Sequence, residues 1–424
     1  MLIEFRVENH RSLLTEQVLS MQAARAAEDD APVRPEDLLP VAVLYGANAS
    51  GKSNVLGALQ FMRDAVLFSH SRWSPDGGFP RDPFAWGLVR DAPSVFEVSI
   101  LVNGSRFDYG FAANDAVLLE EWLYTWADGE KIAWFERDSQ EFRFADDLPG
   151  SNRMLQEVTR PNALFLSVAS QHNHPRLSQI YSWFNTLNSI NVLPPSKLVG
   201  TFPLRSLRMM VSYGGNLPAL LNEATDPRAA DGVPGSSFRD RLLKLLRTAD
   251  TGIVGIKHVP PDPEETRTWT LFPSYLLKHQ NDSAEAWLPL EQESQGTRTL
   301  MRIGLPILEA IEQGGILLID ELESSLHPML AREIVRQFND PTSNFRNAQL
   351  IFTTHDTNLL GNVAGDPVVK RDQVWLTEKD NQGATVLYPL TDYKPRDAEN
   401  LERGYLQGRY GAIPFLGNFS LTGE

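Results

Sequence analysis

The sequence of 424 residues predicts an α/β protein with a mostly parallel core sheet. Three apolar runs carry this prediction, because strands that are buried on both faces lack a polar alternation. They cover residues 41–45, 316–319 and 350–353, and stretches with helical spacing lie between them. An antiparallel meander and an inserted helical region complete the predicted fold class.

Composition narrows the class of function. The chain has 39 Lys and Arg against 54 Asp and Glu, so its net charge is −15 and it is not a general polyanion binder. It has no cysteine, which excludes disulfides, thiolate zinc sites, iron–sulfur clusters and cysteine nucleophiles. The N-terminus has no signal-peptide core, and no window is apolar enough for a membrane helix. We therefore expect a cytoplasmic protein without membrane contacts.

Four segments are predicted along the chain. They are an N-terminal lobe at 1–150, an inserted helical region at 151–250, a C-terminal lobe at 251–390 and a docking tail at 391–424. The first lobe opens with an alternating strand at 3–8 and holds a meander at 95–144, in which Asn103-Gly104 predicts a tight turn. A short strand is predicted at 164–166, and helices are predicted at 180–187, 217–221 and 238–246. The tail is too apolar and aromatic to be disordered.

A glycine-rich loop follows the first apolar run. It consists of Gly46, Ala47, Asn48, Ala49, Ser50, Gly51, Lys52 and Ser53, with Asn54 after it. This matches the P-loop pattern, in which backbone N–H groups and a helix N-terminus surround phosphate oxygens. We expect Lys52 to reach the β- and γ-phosphates of a nucleotide and Ser53 to bind Mg²⁺. The alternative is a glycine turn with a surface lysine.

Two acidic residues end the second apolar run. Asp320 and Glu321 follow Ile316-Leu317-Leu318-Ile319, so they are predicted at the carboxyl edge of the sheet, where such folds bind ligands. Asp320 suits the Mg²⁺ shell, and Glu321 suits a general base that polarises the attacking water. The alternative is a pair of solvated acids at a strand end.

A histidine ends the third run in the same way. His355 follows Thr353 and Thr354, which places an imidazole at the same predicted edge. From there it can sense the γ-phosphate through a hydrogen bond. The alternative is a structural histidine.

In this order, the three motifs resemble the ABC-class ATPase head, as found in SMC, RecF and OLD-type proteins. The resemblance implies that residues 293–297, which read Glu-Ser-Gln-Gly-Thr, form the signature loop that opens a helix. Ser294 and Gly296 would contact phosphate there, although the segment departs from the usual L-S-G-G-Q. The alternative is an ordinary helix cap.

Two further site residues are implied by the resemblance alone. Arg11 lies in a segment similar to the N-x-R-S of SMC and RecF heads, which is near the nucleotide; the alternative is a surface arginine. Gln171 occupies the place of the Q-loop glutamine, just before the helical insert, and is assigned as a metal ligand. With the opening strand and the ending at 408–414, the chain resembles compact bacterial ABC-class ATPases labelled AAA family, many of which occur in phage-defence operons.

This resemblance implies ATP and Mg²⁺ as cofactors and a homodimer or higher oligomer. Two heads would enclose two ATP molecules, with the signature loop of one head on the γ-phosphate held by the other. Such a switch needs a separately encoded effector, a nuclease or a toxin. An alternative is a RecF/SMC-like DNA-repair or DNA-binding ATPase, so DNA stays open as a partner. A nuclease within this chain is disfavoured, since no D-x-D element is present.

Overall fold

The architecture of the chain is taken from a computed structural model. It describes residues 1–24, 33–127, 129–193, 238–249, 252–259, 274–281, 283, 286–324, 326–362, 366–394 and 399–414. Within these residues the chain forms a seven-stranded, a six-stranded and a three-stranded sheet. The helix predicted at 217–221 lies outside the described residues.

The seven-stranded sheet is antiparallel and holds the predicted meander. Its order is β2-β1-β4-β5-β6-β7-β8. The strands are β1 (Leu2–Glu8), β2 (Gln17–Ser20), β4 (Ser94–Val102), β5 (Ser105–Ala113), β6 (Leu118–Ala127), β7 (Glu130–Asp138) and β8 (Glu141–Phe144). Asn103 and Gly104 both have positive φ, 51° and 80°, which is the backbone that a two-residue hairpin turn requires.

The six-stranded sheet confirms the mostly parallel core. Its order is β16-β15-β3-β14-β13-β9, and only the β15–β16 pair is antiparallel. The strands are β3 (Val41–Gly46), β9 (Leu187–Ile190), β13 (Ile316–Ile319), β14 (Gln349–Thr353), β15 (Val374–Lys379) and β16 (Thr385–Pro389). A small antiparallel sheet contains β10 (Ile253–Val259), β11 (Ser274–His279) and β12 (Trp287–Pro289).

Helices cover both faces of the six-stranded sheet. They are α1 (Lys52–Phe68), α2 (Asn152–Val158), α3 (Phe165–Gln171), α4 (Leu177–Asn185), α5 (Phe238–Thr248), α6 (Gln295–Gln313), α7 (Pro328–Asn339) and α8 (Leu401–Leu406). None of these described helices is long and apolar enough to cross a membrane.

Burial on both faces explains the apolar run of β3. Ala42 and Leu44 belong to the core formed with α1 and the seven-stranded sheet. Val41, Val43 and Tyr45 belong to a second core formed with α6, α7 and the C-terminal segment. No residue of this strand faces water, so polar alternation is absent.

One predicted element differs from the structure. The strand predicted at 164–166 is wrong, because Phe165 begins α3; three adjacent apolar residues there are all buried against neighbouring elements. The four segments stay a prediction, and the six-stranded sheet takes strands from three of them. β3, from the predicted N-terminal lobe, and β9, from the predicted helical insert, share one sheet with β13–β16. A parallel sheet is built from strands that are distant in sequence, so linear boundaries divide it.

Candidate functional site

The P-loop connects β3 to α1 at the carboxyl edge of the parallel sheet. Its backbone requires the left-handed region twice, at Ala49 (φ 61°) and Gly51 (φ 108°). A Cβ on Gly51 would collide with the Thr385 hydroxyl and meet Ser12 Oγ at 2.9 Å. Glycine is therefore needed at residue 51 for both conformation and space.

Lys52 lies across the mouth of this loop. Its Nζ donates to Gly46 O at 2.9 Å and to Ala47 O at 3.1 Å. The residue is buried, with 7% of its surface exposed. Burial lowers the pKa of the Lys52 ammonium, and nearby carboxylates, Asp320 foremost, oppose that shift. The ammonium is thus held beside the loop by two carbonyl acceptors, where an anionic phosphate would attract it.

Ser53 and Asp320 meet, although 267 residues separate them. Ser53 Oγ donates to Asp320 Oδ1 at 3.0 Å, and Thr353 Oγ1 donates to the same oxygen at 2.6 Å. A hydroxyl and a carboxylate that converge in this way are oxygen ligands of the kind that Mg²⁺ prefers. These two residues therefore fit a magnesium ion bound next to a P-loop phosphate.

Thr353 also sets the backbone of Glu321. Glu321 N donates to Thr353 Oγ1 at 2.8 Å, and Leu322 N donates to Thr353 O at 3.1 Å. These bonds hold Glu321 at φ 56°, a left-handed conformation that is uncommon for a non-glycine residue. The side chain of Glu321 is exposed at the sheet edge, where it can act on a water molecule.

The turn after β14 is tied to the turn after β13. His355 N donates to Glu323 Oε1 at 2.6 Å, and Tyr45 OH donates to Asp356 O at 2.8 Å. The imidazole of His355 is exposed at the same edge as Glu321. The backbone segments that carry the two candidate catalytic side chains are therefore joined by hydrogen bonds.

Arg11 lies over the second turn of α1. A Cβ on Gly57 would meet Arg11 Nη1 at 2.8 Å, and Arg11 Nε is 3.5 Å from Asp82 Oδ2. The next residue, Ser12, accepts a hydrogen bond from Asn54 Nδ2 at 2.6 Å. The segment around Arg11 is thus attached to the first turns of the helix that follows the P-loop.

The predicted signature segment opens α6. Ser294 is the N-cap, and its Oγ accepts from Thr297 N at 3.1 Å. α6 precedes β13 through Gly314 and Gly315. A helix of this length rises about 28 Å, whereas β13 spans about 13 Å. α6 is therefore about twice as long as the strand that follows it, and Ser294 and Gly296 lie at the end of the helix that is remote from β13 in sequence.

Comparison with known proteins places these motifs in a family. A family described as "AAA domain, putative AbiEii toxin, Type IV TA system" matches residues 41–361, which is more than half of the chain. The chain belongs to this family. The resemblance to ATPases labelled AAA family, expected from the sequence, is thereby confirmed. The matched span of this AAA-domain protein contains the P-loop, Asp320, Glu321 and His355.

Individual known proteins show weaker similarity to this AAA-domain protein. The Septu protein PtuA of Bacillus mycoides (strain KBAB4) is 28% identical over 141 residues, which is 31% of this chain and 19% of that protein. The SMC head domain from Thermotoga maritima gives a TM-score of 0.39 at 11% identity, covering 92% of this chain and 98% of that one. The Smc head domain from Pyrococcus furiosus bound to the C-terminal domain of ScpA gives 0.42 at 11% identity, covering 96% and 98%.

One predicted site residue of the AAA-domain protein lies elsewhere. Gln171 Nε2 donates to Tyr181 OH at 3.4 Å, and Tyr181 OH donates to Leu67 O at 3.3 Å. Leu67 is near the C-terminal end of α1, about 21 Å of helix rise from Ser53 at the other end. This geometry does not support Gln171 as a metal ligand, because α3 packs at the end of α1 that is far from Ser53. Position in the chain alone does not show where α3 packs.

Asn191 is a contact that sequence reasoning missed. It follows β9 and donates from Nδ2 to Asp320 O at 3.2 Å, with φ at 61°. β9 pairs with β13 in parallel, so both strands end at the same edge. The run Leu187-Asn188-Ser189-Ile190 is short and has polar residues at its centre, so it does not predict the strand β9 that Asn191 follows.

Proposed function

We propose that this AAA-domain protein hydrolyses ATP and that closure of two heads on ATP acts as a switch for a separate effector. The observation that carries the hydrolase proposal is the 3.0 Å bond from Ser53 Oγ to Asp320 Oδ1, at the mouth of a P-loop that contains Lys52. It joins the two motifs that would bind phosphate and metal. The family description, with its words "putative AbiEii toxin, Type IV TA system", supports a toxin-like context for the switch.

Each site residue has a proposed role in ATP hydrolysis. Lys52 would leave the carbonyls of Gly46 and Ala47 and donate to the β- and γ-phosphates. Ser53 and Asp320 would hold Mg²⁺, which when bound offsets negative charge on the phosphate oxygens. Glu321 would take a proton from the water that attacks the γ-phosphorus, while the bond to the bridging oxygen of ADP breaks. His355 would donate to the γ-phosphate.

The DNA-binding alternative finds less support in the described contacts. The three arginines of α5 are engaged within the chain: Arg239 Nε donates to Ile256 O at 3.2 Å, and Arg247 Nη2 donates to Val254 O at 3.0 Å. Arg241 forms an ion pair with Glu312. These side chains stabilise the packing of α5, so no observation on this helix favours a phosphate-backbone surface.

Replacing Glu321 with Gln tests the hydrolase proposal. The amide keeps the shape but cannot accept the proton, so turnover should fall by roughly 10²–10⁴ while ATP binding survives. A nucleotide-bound dimer should accumulate, as measured by phosphate release and light scattering. Glu120→Gln, on an exposed residue of β6, is the matched control. Hydrolysis at the wild-type rate in Glu321→Gln would show that another group is the base.

Mixing two inactive variants tests the shared site. The resemblance to ABC-class heads implies that the signature loop acts across the interface, so Ser294 is expected to complete the site of the other head. Lys52→Ala mixed with Ser294→Ala should recover about a quarter of wild-type activity, because half of the dimers are mixed and each has one intact site. If both variants fold and associate but no mixture regains activity, the site is complete within one chain.

A further inference from the structure

We propose that Ser12 and Thr385 are positioning residues that hold the P-loop in its phosphate-binding conformation from its outer side. Together with Asn54 and Ser50 they form what we call the hydroxyl brace. The proposal rests on the proposed function, since it concerns how the same P-loop is kept ready for ATP. None of these contacts involves the groups that would react.

The brace is a continuous set of short hydrogen bonds. Asn54 Nδ2 donates to Ser12 Oγ at 2.6 Å, Ser12 Oγ and Thr385 Oγ1 are 2.7 Å apart, and Thr385 Oγ1 donates to Ser50 O at 2.7 Å. The backbone adds a bond from Thr385 N to Ser12 O at 2.7 Å. Three segments that are distant in sequence therefore meet at one point.

The direction of these bonds follows from the number of protons. Each hydroxyl has one proton to donate. Thr385 gives its proton to Ser50 O, since a carbonyl can only accept, so the Ser12 hydroxyl must donate to Thr385. Ser12 in turn accepts from the amide of Asn54. The chain of donors thus runs one way, from Asn54 through Ser12 and Thr385 to Ser50, and bonds in such a series strengthen one another.

The P-loop needs such support because of its shape. The N–H groups of a P-loop turn inward to surround phosphate, and each buried carbonyl of the loop needs a donor. Gly46 O and Ala47 O accept from Lys52, whereas Ser50 O accepts from a residue outside the loop. Thr385 is 1% exposed and supplies that donor to Ser50. Directly beside this bond, Gly51 contacts the Thr385 side chain too closely to allow any Cβ. The P-loop therefore packs closely against the β15–β16 hairpin, with no room for a side chain between them.

A second contact ties the loop to the same hairpin. Ser50 Oγ and Thr377 Oγ1 are 2.6 Å apart, and Thr377 lies opposite Gly46 in the β3–β15 pairing. Ser50 is thus held through its carbonyl by Thr385 on β16 and through its side chain by Thr377 on β15. Loss of the brace should misalign the inward N–H groups, which affects the binding of ATP more than the chemical step.

The test compares Thr385→Val, which has the same shape without the hydroxyl, with Thr385→Ser, which keeps it. Thr385→Val should weaken Mg-ATP binding roughly 10- to 100-fold, because it leaves a buried carbonyl without a donor. Ser12→Ala should act in the same direction. For Thr385→Ser, the dissociation constant of Mg-ATP should stay within about threefold of wild type. In Thr385→Val and Ser12→Ala, KM should change more than kcat.

Thr159→Val is the matched control. Thr159 is 4% exposed, and its hydroxyl donates to the buried Leu155 O at 2.6 Å, away from the P-loop. It should lower the melting temperature as much as Thr385→Val while leaving the dissociation constant of ATP unchanged. Wild-type affinity in both Thr385→Val and Ser12→Ala, or equal weakening by Thr385→Ser and Thr385→Val, would overturn the brace alone. A wild-type protein that binds no ATP would overturn the proposed function as well.

Discussion

His10 is a buried imidazole next to the segment that carries Arg11. It stacks on Phe61 with ring centroids 5.7 Å apart and meets Phe96 edge-on at 5.4 Å, and it is fully buried. Neither ring nitrogen has a hydrogen-bond partner among the described residues. Burial, aided by the charge of Arg11, lowers the pKa of His10 to about 3. Burial against the two aromatic rings therefore favours the neutral form of this imidazole in the folded protein.

This residue makes the free energy of unfolding depend on pH. The unfolded imidazole binds a proton near pH 6.5 but the folded one only near pH 3, so acid favours the unfolded state between these values. We expect a loss of up to about 1.4 kcal/mol for each pH unit below 6.5, reaching its full slope near pH 5. In urea titrations between pH 7 and 4.5, His10→Phe should remove this part of the pH dependence. His172→Phe, at an exposed position, is the control, and a wild-type slope in His10→Phe would contradict the assignment.

At the scale of elements, α3 depends on a residue from a strand. Glu121, on β6, accepts from Phe165 N at 2.7 Å and from Leu166 N at 3.0 Å, at the start of α3. Arg137, on β7, is 3.5 Å from the Glu121 carboxylate and donates to Ala163 O at 2.7 Å. Burial raises the pKa of Glu121, and the charge of Arg137 opposes this shift. The carboxylate of a buried ion pair thus accepts from the N–H groups at the N-terminus of α3, and it comes from another element of the chain.

Removing one partner of this pair should be strongly destabilising. Glu121→Ala leaves Arg137 buried without its carboxylate and the first turn of α3 without an acceptor, so we expect a loss of about 3–5 kcal/mol in the free energy of unfolding. The double variant Glu121→Leu with Arg137→Met should lose less, because it removes both charges. Urea unfolding of the three proteins measures the difference. A loss under about 1 kcal/mol in Glu121→Ala would contradict this account.

Elements were predictable from the sequence where the local pattern decides them. The long apolar runs of β3, β13 and β14 result from burial on both faces, and the P-loop, Asp320 and His355 follow directly from those runs. The apolar run at 164–166 predicts a strand, whereas the acceptor that holds the start of α3 is Glu121, 44 residues earlier. Thr385 and Asn191 reach the site only through tertiary contacts, which no local pattern shows.

At the scale of the whole molecule, the described part of the C-terminal segment, residues 399–414, packs on the head. Tyr405 lies 5.4 Å from the ring of Tyr45, Thr357 Oγ1 donates to Glu402 Oε1 at 3.0 Å, and Ala412 N donates to the Glu378 carboxylate at 3.3 Å. These contacts involve β3, the turn after β14 and the end of β15. The tail predicted from residue 391 is thus part of the core at residues 399–414, and its contact with an effector stays a prediction.

Tyr405→Ala should therefore destabilise the head. The residue is 8% exposed and packs in the same core as β3, so removing its ring should cost roughly 3–5 kcal/mol of unfolding free energy. Leu406→Ala, at a neighbour that is 61% exposed, should change stability by less than about 0.5 kcal/mol. Thermal unfolding and ATPase rates check both variants, and truncation after Leu390 should have a larger effect than Tyr405→Ala. Equal melting temperatures for the two point variants would contradict the packing role.

The position of β3 in its sheet has a consequence for synthesis of the protein on the ribosome. Both neighbours of this strand, β14 and β15, lie about 300 residues later in the chain. At roughly 5–20 residues per second, the strand that ends in the P-loop waits roughly 15–70 s before either edge can pair. During that interval an apolar strand with two open edges is exposed to other chains, which is the situation that favours aggregation and chaperone binding. Nascent chains that stop before β14 should therefore hold a complete P-loop sequence and yet be unable to bind ATP.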